Sequence, residues 1–264
     1  MKIKNIALVG NPNCGKTSLF NTLTGTRQKV ANYAGVTVER KEGSFNLPSG
    51  DAVRVLDLPG TYSLKPSSLD EEVTRAVCLG ELKGEILPDI FICVVDATNL
   101  SLHLSLVLEV RALNRPMILV LNMMDEVKKR GISIDKDKLS QLLGIPVVEA
   151  VAVKTKGIQD LINQLDQKNL FITPYHSELS HFEQVKQITK QVILNNDSGD
   201  KRTAFLDKIF LHPVLGLVIL TLTMFVMFQA VFIWATPFIE FIENFVAWLS
   251  DFIGPLIQHP LLKS

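Results

Sequence analysis

From Gly10 the chain reads Gly10-Asn11-Pro12-Asn13-Cys14-Gly15-Lys16-Thr17-Ser18. The first eight residues fit G-x-x-x-x-G-K-[ST], a pattern whose chemistry is the binding of phosphate chains. The glycines let the backbone curl until successive N–H groups point at phosphate oxygens. Lys16 brings a positive charge to the β- and γ-phosphates, and the Thr17 hydroxyl completes a magnesium shell. A helix starting near Lys16 adds the positive end of its dipole, and Gly25 marks its end.

Two further stretches say what the phosphates belong to. In "LVLNMMDEV", an apolar strand from Met117 to Leu121 delivers Asn122-Met123-Met124-Asp125. A carboxylate at Asp125 accepts two hydrogen bonds from guanine, N1–H and the exocyclic amine, which adenine does not offer. A site built to hydrogen-bond a substrate rejects the analogue that leaves its polar groups unpaired. In "VRVLDLPGTYSL", strand residues Val53 to Leu56 carry Asp57-Leu58-Pro59-Gly60 to the site. Asp57 is placed for magnesium and Gly60 for an N–H on the γ-phosphate. Upstream, Gly35-Val36-Thr37-Val38-Glu39 supplies Thr37, a second magnesium hydroxyl that is in place only with the γ-phosphate. The expected metal set is therefore Thr17, Thr37 and Asp57. Loops of this kind order on the triphosphate and relax after hydrolysis.

The elements that must position these residues alternate along the chain. Strands are expected near 4–9, 38–47, 52–57, 90–95, 117–121 and 146–151, and helices near 16–24, 70–80, 101–113, 135–143 and 157–168. "IFICVVDA" and "PMILVLN" are unbroken apolar runs, as parallel strands covered on both faces require. The expected fold class is α/β, a doubly wound P-loop GTPase domain over 1–168 with ligands at the carboxyl ends of the strands. A short helical domain and linker (169–205) follow. Within them Phe182, Val185, Ile188 and Val192 are expected on one helix face.

The last part of the chain is of another kind. No Asp, Glu, Lys or Arg occurs from Ile209 to Pro237, longer than the roughly 20 residues a membrane span requires. The expected transmembrane helix covers 206–237, with Pro237 at its far end and Trp234 as an interfacial anchor. Residues 238–264 are expected to be an amphipathic or interfacial segment opening a truncated membrane domain. Lys201, Arg202 and Lys208 precede the span and Glu240, Glu243 and Asp251 follow it, which places the N-terminal domain in the cytoplasm.

Composition removes some classes. Lys+Arg and Asp+Glu are each 27 in 264 residues, so no basic bias points to nucleic acid. Cys14, Cys78 and Cys93 form no CxxC pair, and His103, His176, His181, His212 and His259 have no ligand spacing among themselves, so all five histidines are read as structural or surface residues.

The stretches "GNPNCGKTSLFN", "NYAGVTVERKEG", "DLPGTYSL", "NMMD" and "LDKIFLHPVLGLVILTLTMFVMFQ" together resemble the FeoB family, the membrane-anchored G proteins of prokaryotic ferrous iron uptake. The resemblance covers nearly the whole chain. It implies a cytoplasmic switch that binds GTP and GDP with Mg²⁺, hydrolyses GTP, and controls Fe²⁺ passage across the bacterial inner membrane. It further implies that Fe²⁺ is a transported substrate not bound by this segment, and that the partners are the rest of the membrane domain, small cytoplasmic accessory proteins and further copies of the chain. Asn11 matches the residue that holds K⁺ near the phosphates in related potassium-activated GTPases. Thr61 stands where many small GTPases place a water-orienting Gln, which implies slow intrinsic hydrolysis. Met123 replaces the Lys of N-K-x-D. In the expected base loop, Val151-Ala152-Val153-Lys154, Ala152 and Val153 are placed at the guanine with Val where a Ser is common. A membrane-tethered signalling or assembly GTPase without transport activity is the alternative.

Overall fold

The computed structural model describes residues 3–25, 28–33, 36–150, 155–167, 179–195, 206 and 208–253. They fall in two units, Met1–Ser198 and Gly199–Ser264. The first is built on a seven-stranded sheet of order β2-β3-β4-β1-β5-β6-β8. Its strands are β1 (Asn5–Val9), β2 (Gln28–Asn32), β3 (Glu39–Asn46), β4 (Ala52–Asp57), β5 (Ile90–Asp96), β6 (Met117–Asn122) and β8 (Val147–Glu149). The helices are α1 (Lys16–Thr24), α2 (Leu69–Leu79), α3 (Leu100–Arg111), α4 (Met124–Lys129), α5 (Lys136–Leu143), α6 (Thr155–Asp166) and α7 (His181–Val192).

Period-two alternation divides the core. On β1, Ile6 and Leu8 pack with Leu19, Phe20, Ile158 and Leu161 of α1 and α6. Ala7 and Val9, which point to the opposite face, pack with Val73, Leu104, Leu139 and Ile188 of α2, α3, α5 and α7. Helices on both faces make the sheet doubly wound, as the unbroken apolar runs of β5 and β6 require.

Not every strand is parallel. β4, β1, β5, β6 and β8 are, but β3 runs antiparallel to β4 and β2 antiparallel to β3. β2 has no counterpart among the strands expected from sequence. All five of its residues are exposed, so it carries no apolar alternation and is held by backbone pairing from Gln28–Gly43 to Asn32–Glu39. α4 was likewise not anticipated, being a six-residue helix directly after the guanine motif. A small second sheet pairs β7 (Ser133–Ile134) with β9 (Ile193–Asn195).

That second sheet ties the end of α7 back to the first domain. α7 starts with a capping box between Ser180 and Glu183. Its Ile188 and Val192 are buried in the same cluster as α3 and α5. The expected common face is corrected at one position: Phe182 is 78% exposed. At 3.6 residues per turn it lies about 120° round the helix from Ile188, off the buried stripe.

In the second unit, helix Leu215–Gln229 passes through a π-helical turn, Ala230–Trp234, into helix Ala235–Ile253. The run Leu215–Phe252 is long and apolar enough to cross a membrane, with a mean hydropathy of 2.3 over its most apolar 18 residues. Pro237 therefore does not end the helix. A proline inside a helix clashes with the carbonyl four residues back, here Ile233, and the π turn widens the backbone there. Such single-turn π insertions are an established way for a helix to absorb an irregularity.

Phe91 is fully buried, so Phe91→Ala should destabilise the first unit by about 3–5 kcal/mol. Phe182→Ala should stay within about 0.5 kcal/mol of the parent chain. Guanidinium unfolding of the chain in detergent micelles, followed by circular dichroism, compares the two.

Candidate nucleotide site

The phosphate loop is formed by close approach. A Cβ at Gly10 would lie 2.3 Å from the Val94 carbonyl oxygen of β5, and Gly15 caps α1 at φ 95°. Glycine is required at both, for space at the first and for a left-handed backbone at the second. Asn13 also has positive φ, 61°, which Asn tolerates better than most residues. Cys14 is buried behind the loop with Leu19 and Phe20, and that burial pushes its thiol pKa up. It is a space-filling residue in a tight turn.

Lys16 is 7% exposed, and its Nζ donates to the carbonyl oxygens of Gly10 (3.0 Å) and Asn11 (3.2 Å). The Thr17 hydroxyl donates to Asp57 Oδ2 at 3.0 Å, while Asp57 Oδ1 is buried with no partner. Burial raises the Asp57 carboxyl above its ordinary range, opposed by the Thr17 hydroxyl and Lys16. An orphaned carboxylate oxygen beside a hydroxyl is the oxygen donor set that a hard divalent cation takes, so Thr17 and Asp57 fit magnesium. Asn11 is 1% exposed, and both polar atoms of its side chain are buried without a partner. Such a group normally has a partner, and its carbonyl oxygen suits a monovalent cation.

A cavity of about 240 Å³ opens in front of these groups, lined by Lys16, Thr17, Val38, Glu39, Asp57, Leu58, Pro59 and Gly60. Gly60 packs directly on Pro12, which a Cβ there would meet at 3.0 Å. Two lining residues were not identified from sequence, Lys41 and Asp70. Lys41 stands opposite Asp57 in the β3–β4 register and two residues beyond Glu39, so strand alternation from Glu39 was the signal that would have found it. Asp70 is in the first turn of α2, where nothing in the local pattern distinguishes it from a helix-end acid.

Thr37 is elsewhere. It is exposed and lines a separate cavity of about 680 Å³ with Asn32, Tyr33, Val36 and Leu69. In this arrangement Thr37 is not brought together with Thr17 and Asp57, although Val38 and Glu39 do reach the phosphate cavity. The loop is closed by Tyr33 N–H on the Val38 carbonyl and Val36 N–H on the Tyr33 carbonyl. Gly35 lies outside the described residues.

At the guanine end, Asn122 is 3% exposed and its Nδ2 donates to the Cys14 carbonyl at 2.9 Å. Met123 adopts a left-handed backbone, φ 61°, so the chain turns at once into α4 with Met124 buried and Asp125 in the first turn. Ala152 and Val153 lie outside the described residues. Thr61 is fully buried, its N–H on the Gly10 carbonyl and its hydroxyl bonded to the Ser63 carbonyl and Glu71. Hydrogen bonds from the Ser67 hydroxyl and N–H come first among the causes that lower the Glu71 pKa to about 2. His103 is buried with its pKa lowered by burial, and its Nδ1 accepts the Asp96 N–H. Among the described residues no group of three or more His, Cys, Asp or Glu is placed to hold a metal ion.

The family described as ferrous iron transport protein B matches residues 4–165, more than half of the chain. The chain belongs to that family. It is 46% identical over 188 residues to the Fe(2+) transporter FeoB of Salmonella typhimurium, a match covering 70% of this chain and 23% of that protein. The chain thus spans about a quarter of the curated relatives it matches. Among solved structures, the cytosolic domain of L. pneumophila FeoB is 32% identical with a TM-score of 0.66, covering 73% of this chain and all of that one. The cytosolic domain of T. maritima FeoB in its GMPPNP form is 34% identical with a TM-score of 0.62, covering 73% and 100%. The expected FeoB resemblance and the α/β P-loop fold are both borne out.

In this FeoB-family domain Gly10→Ala drives a methyl group into the β5 backbone and must displace the loop. Displacements of about 1 Å at a positioned site cost about 100-fold. The variant should lose guanine-nucleotide affinity by that order, checked by titration with a fluorescent GDP analogue, while its circular dichroism spectrum stays that of the parent.

Proposed function

We propose that this chain is the GTP-binding and GTP-hydrolysing cytoplasmic switch of a ferrous iron transporter. In this reading it couples the nucleotide state of its G domain to Fe²⁺ uptake across the inner membrane. The observation that carries this reading is the Asn122–Cys14 hydrogen bond, which fastens the guanine motif to the phosphate loop as one cradle. The nucleotide forms in which the T. maritima domain was solved, GMPPNP and GDP, support the same ligand class here.

Each residue then has a task. The loop from Gly10 to Ser18 presents N–H groups to the phosphates, and Lys16 exchanges its two carbonyl acceptors for phosphate oxygens. Thr17 and Asp57 hold magnesium, which when bound neutralises charge developing on the β- and γ-oxygens. Thr37 joins them from its outer position when the loop 33–38 rearranges, and Gly60 turns its N–H to the γ-phosphate. Asp125 selects guanine. The buried, unpartnered Asn11 amide supports a K⁺ site that supplies the positive charge an arginine finger gives elsewhere. With Thr61 in place of Gln, the attacking water is oriented by switch backbone, which keeps intrinsic hydrolysis slow. The long apolar helix supports a membrane location with the G domain cytoplasmic. Accessory proteins and self-association belong to the same reading.

GTP should bind at least about 100-fold more tightly than ATP, since adenine leaves the acceptor Asp125 unpaired. Equal affinity in competition titrations overturns the reading. Exchanging K⁺ for Na⁺ should lower the hydrolysis rate at least tenfold, on the scale of lost transition-state charge stabilisation, and an unchanged rate removes the K⁺ site. Cells carrying the full-length gene with Lys16→Ala or Asp125→Ala should lose ⁵⁵Fe²⁺ uptake, and retained uptake would leave a tethered GTPase without a transport role.

A further inference from the structure

A carboxylate outside the nucleotide cavity holds the segment that follows Gly60. Glu109, on α3, accepts the Ser63 hydroxyl with both oxygens, at 3.0 and 2.9 Å, and the Leu64 N–H with Oε2. Ser63 Oγ in turn accepts the Lys65 N–H at 3.0 Å. The Leu64 side chain packs on the core beneath. At its other end the segment is fastened to the phosphate loop by Thr61 N–H on the Gly10 carbonyl, 3.2 Å, and by Gly60 on Pro12. The four residues 61–64 are thus pinned between α3 and the loop that cradles phosphate. α3 lies 45 residues away in sequence and contributes nothing to the cavity lining.

The arrangement pinned in this way is the one in which Thr37 stays in its own cavity, apart from Thr17 and Asp57. We propose that Glu109 is a positioning residue that holds the segment Gly60–Leu64 in the arrangement suited to the diphosphate, and so sets the preference of this domain between GTP and GDP. The inference rests on the guanine-nucleotide reading above. A γ-phosphate that recruits the Gly60 N–H pulls Thr61 and the residues after it, and Glu109 must release Ser63 and Leu64. A diphosphate makes no demand on Gly60. A ligand shifts a two-state equilibrium only by its differential affinity for the two states, and its apparent affinity falls by the fraction of protein in the wrong one. Removing the latch therefore tightens the triphosphate complex and leaves the diphosphate complex alone. A contact that merely held the fold together would weaken both.

The test uses the full chain in detergent micelles, with Glu109→Ala and Glu109→Gln, titrated with GMPPNP and with GDP. Glu109→Ala should bind GMPPNP about tenfold more tightly, the size expected from a charge-assisted hydrogen bond present in one state only. Glu109→Gln keeps one acceptor oxygen and should fall between it and the parent. GDP affinity should change less than about twofold, since its complex keeps the latched arrangement. A parallel loss for both nucleotides, a weaker GMPPNP complex alone, or no change in either overturns the proposal.

A second readout does not depend on measured affinities. Lys65 is exposed and lines a groove of about 1030 Å³ between α3 and α7, away from the phosphate cavity. Cys14, Cys78 and Cys93 are all buried, so a fluorophore on Lys65→Cys labels one position. Glu109→Ala should shift its emission in the direction that GMPPNP shifts it in the parent. If the parent shows no guanine preference, the functional reading fails while the emission difference still decides the latch. Emission unaltered by Glu109→Ala sinks the latch whatever the nucleotide data show.

Discussion

One hydrogen bond, from the Asn122 amide to the Cys14 carbonyl, makes a site out of two loops that are 108 residues apart in the chain. The sheet order explains why it can exist. β5 lies between β1 and β6, so the loops leaving β1 and β6 meet across the carboxyl end of β5, the general location for ligands in such sheets. β5 itself fixes the spacing. Its Val94 carbonyl stands where a side chain on Gly10 would be, so the phosphate loop rests on bare backbone. Because Asn122 and the Cys14 carbonyl are both buried, neither finds water as a substitute partner, and separating them costs the full desolvation of each. Distance between the phosphate and base ends is thereby set by packed strands, before any ligand arrives.

The segment after Gly60 is held by a different kind of force than the phosphate loop. Cys14, Leu19 and Phe20 seat the phosphate loop and its helix in the apolar core, where close packing permits no gradual deformation. The segment from Thr61 to Ser67 is held chiefly by polar groups: Gly10, Glu71 and Glu109 take its N–H and hydroxyl donors. Polar contacts near the surface are worth little net, because water replaces them when they break. A phosphate oxygen competes with such contacts on equal terms, as it could not with buried leucines. The phosphate loop and the segment after Gly60 are thus divided between an apolar seat and a polar one.

That division also decides what could be read from the sequence. The placement of Lys16, Thr17, Asp57 and Asn122 is legible because backbone geometry forces their chemistry into short contiguous runs. β5 and β6 are legible because they are buried on both faces and apolar up to their last residues, Asp96 and Asn122. Lys41 is reachable only through strand alternation from Glu39, and Glu109 is invisible locally because the docking of a helix places it. β2 is hidden for the opposite reason, since its exposed residues Gln28 to Asn32 bury nothing and only pairing defines them. The antiparallel pairing of β2 and β3 fits this, because the edge strand β2 buries none of its residues and β3 beside it buries only Gly43 and Phe45, short of the two-sided burial that parallel strands need. Phe182 shows the limit of periodicity itself, as a residue near a stripe but not on it.

Pro237 illustrates how a sequence signal is outweighed by context. A proline usually ends a soluble helix, because its neighbours can trade intrahelical bonds for water. In hydrocarbon no such trade exists, and each backbone group must be satisfied within the segment or by its neighbours. The π turn at Ala230–Trp234 accommodates the ring, and the Thr236 hydroxyl, bonded to the Phe232 carbonyl at 2.8 Å, adds a polar contact beside it. The helix then continues past the point where composition changes. Starting from Leu215, a hydrocarbon layer of about 30 Å is crossed in about 20 residues, which brings the far boundary near Ala235. The charge-free run from Ile209 to Pro237 is longer than that, and Glu240, Glu243 and Asp251 follow it. Along the described residues the helix runs on to Ile253, so Glu240, Glu243 and Asp251 lie on the same helical run as the apolar stretch before them.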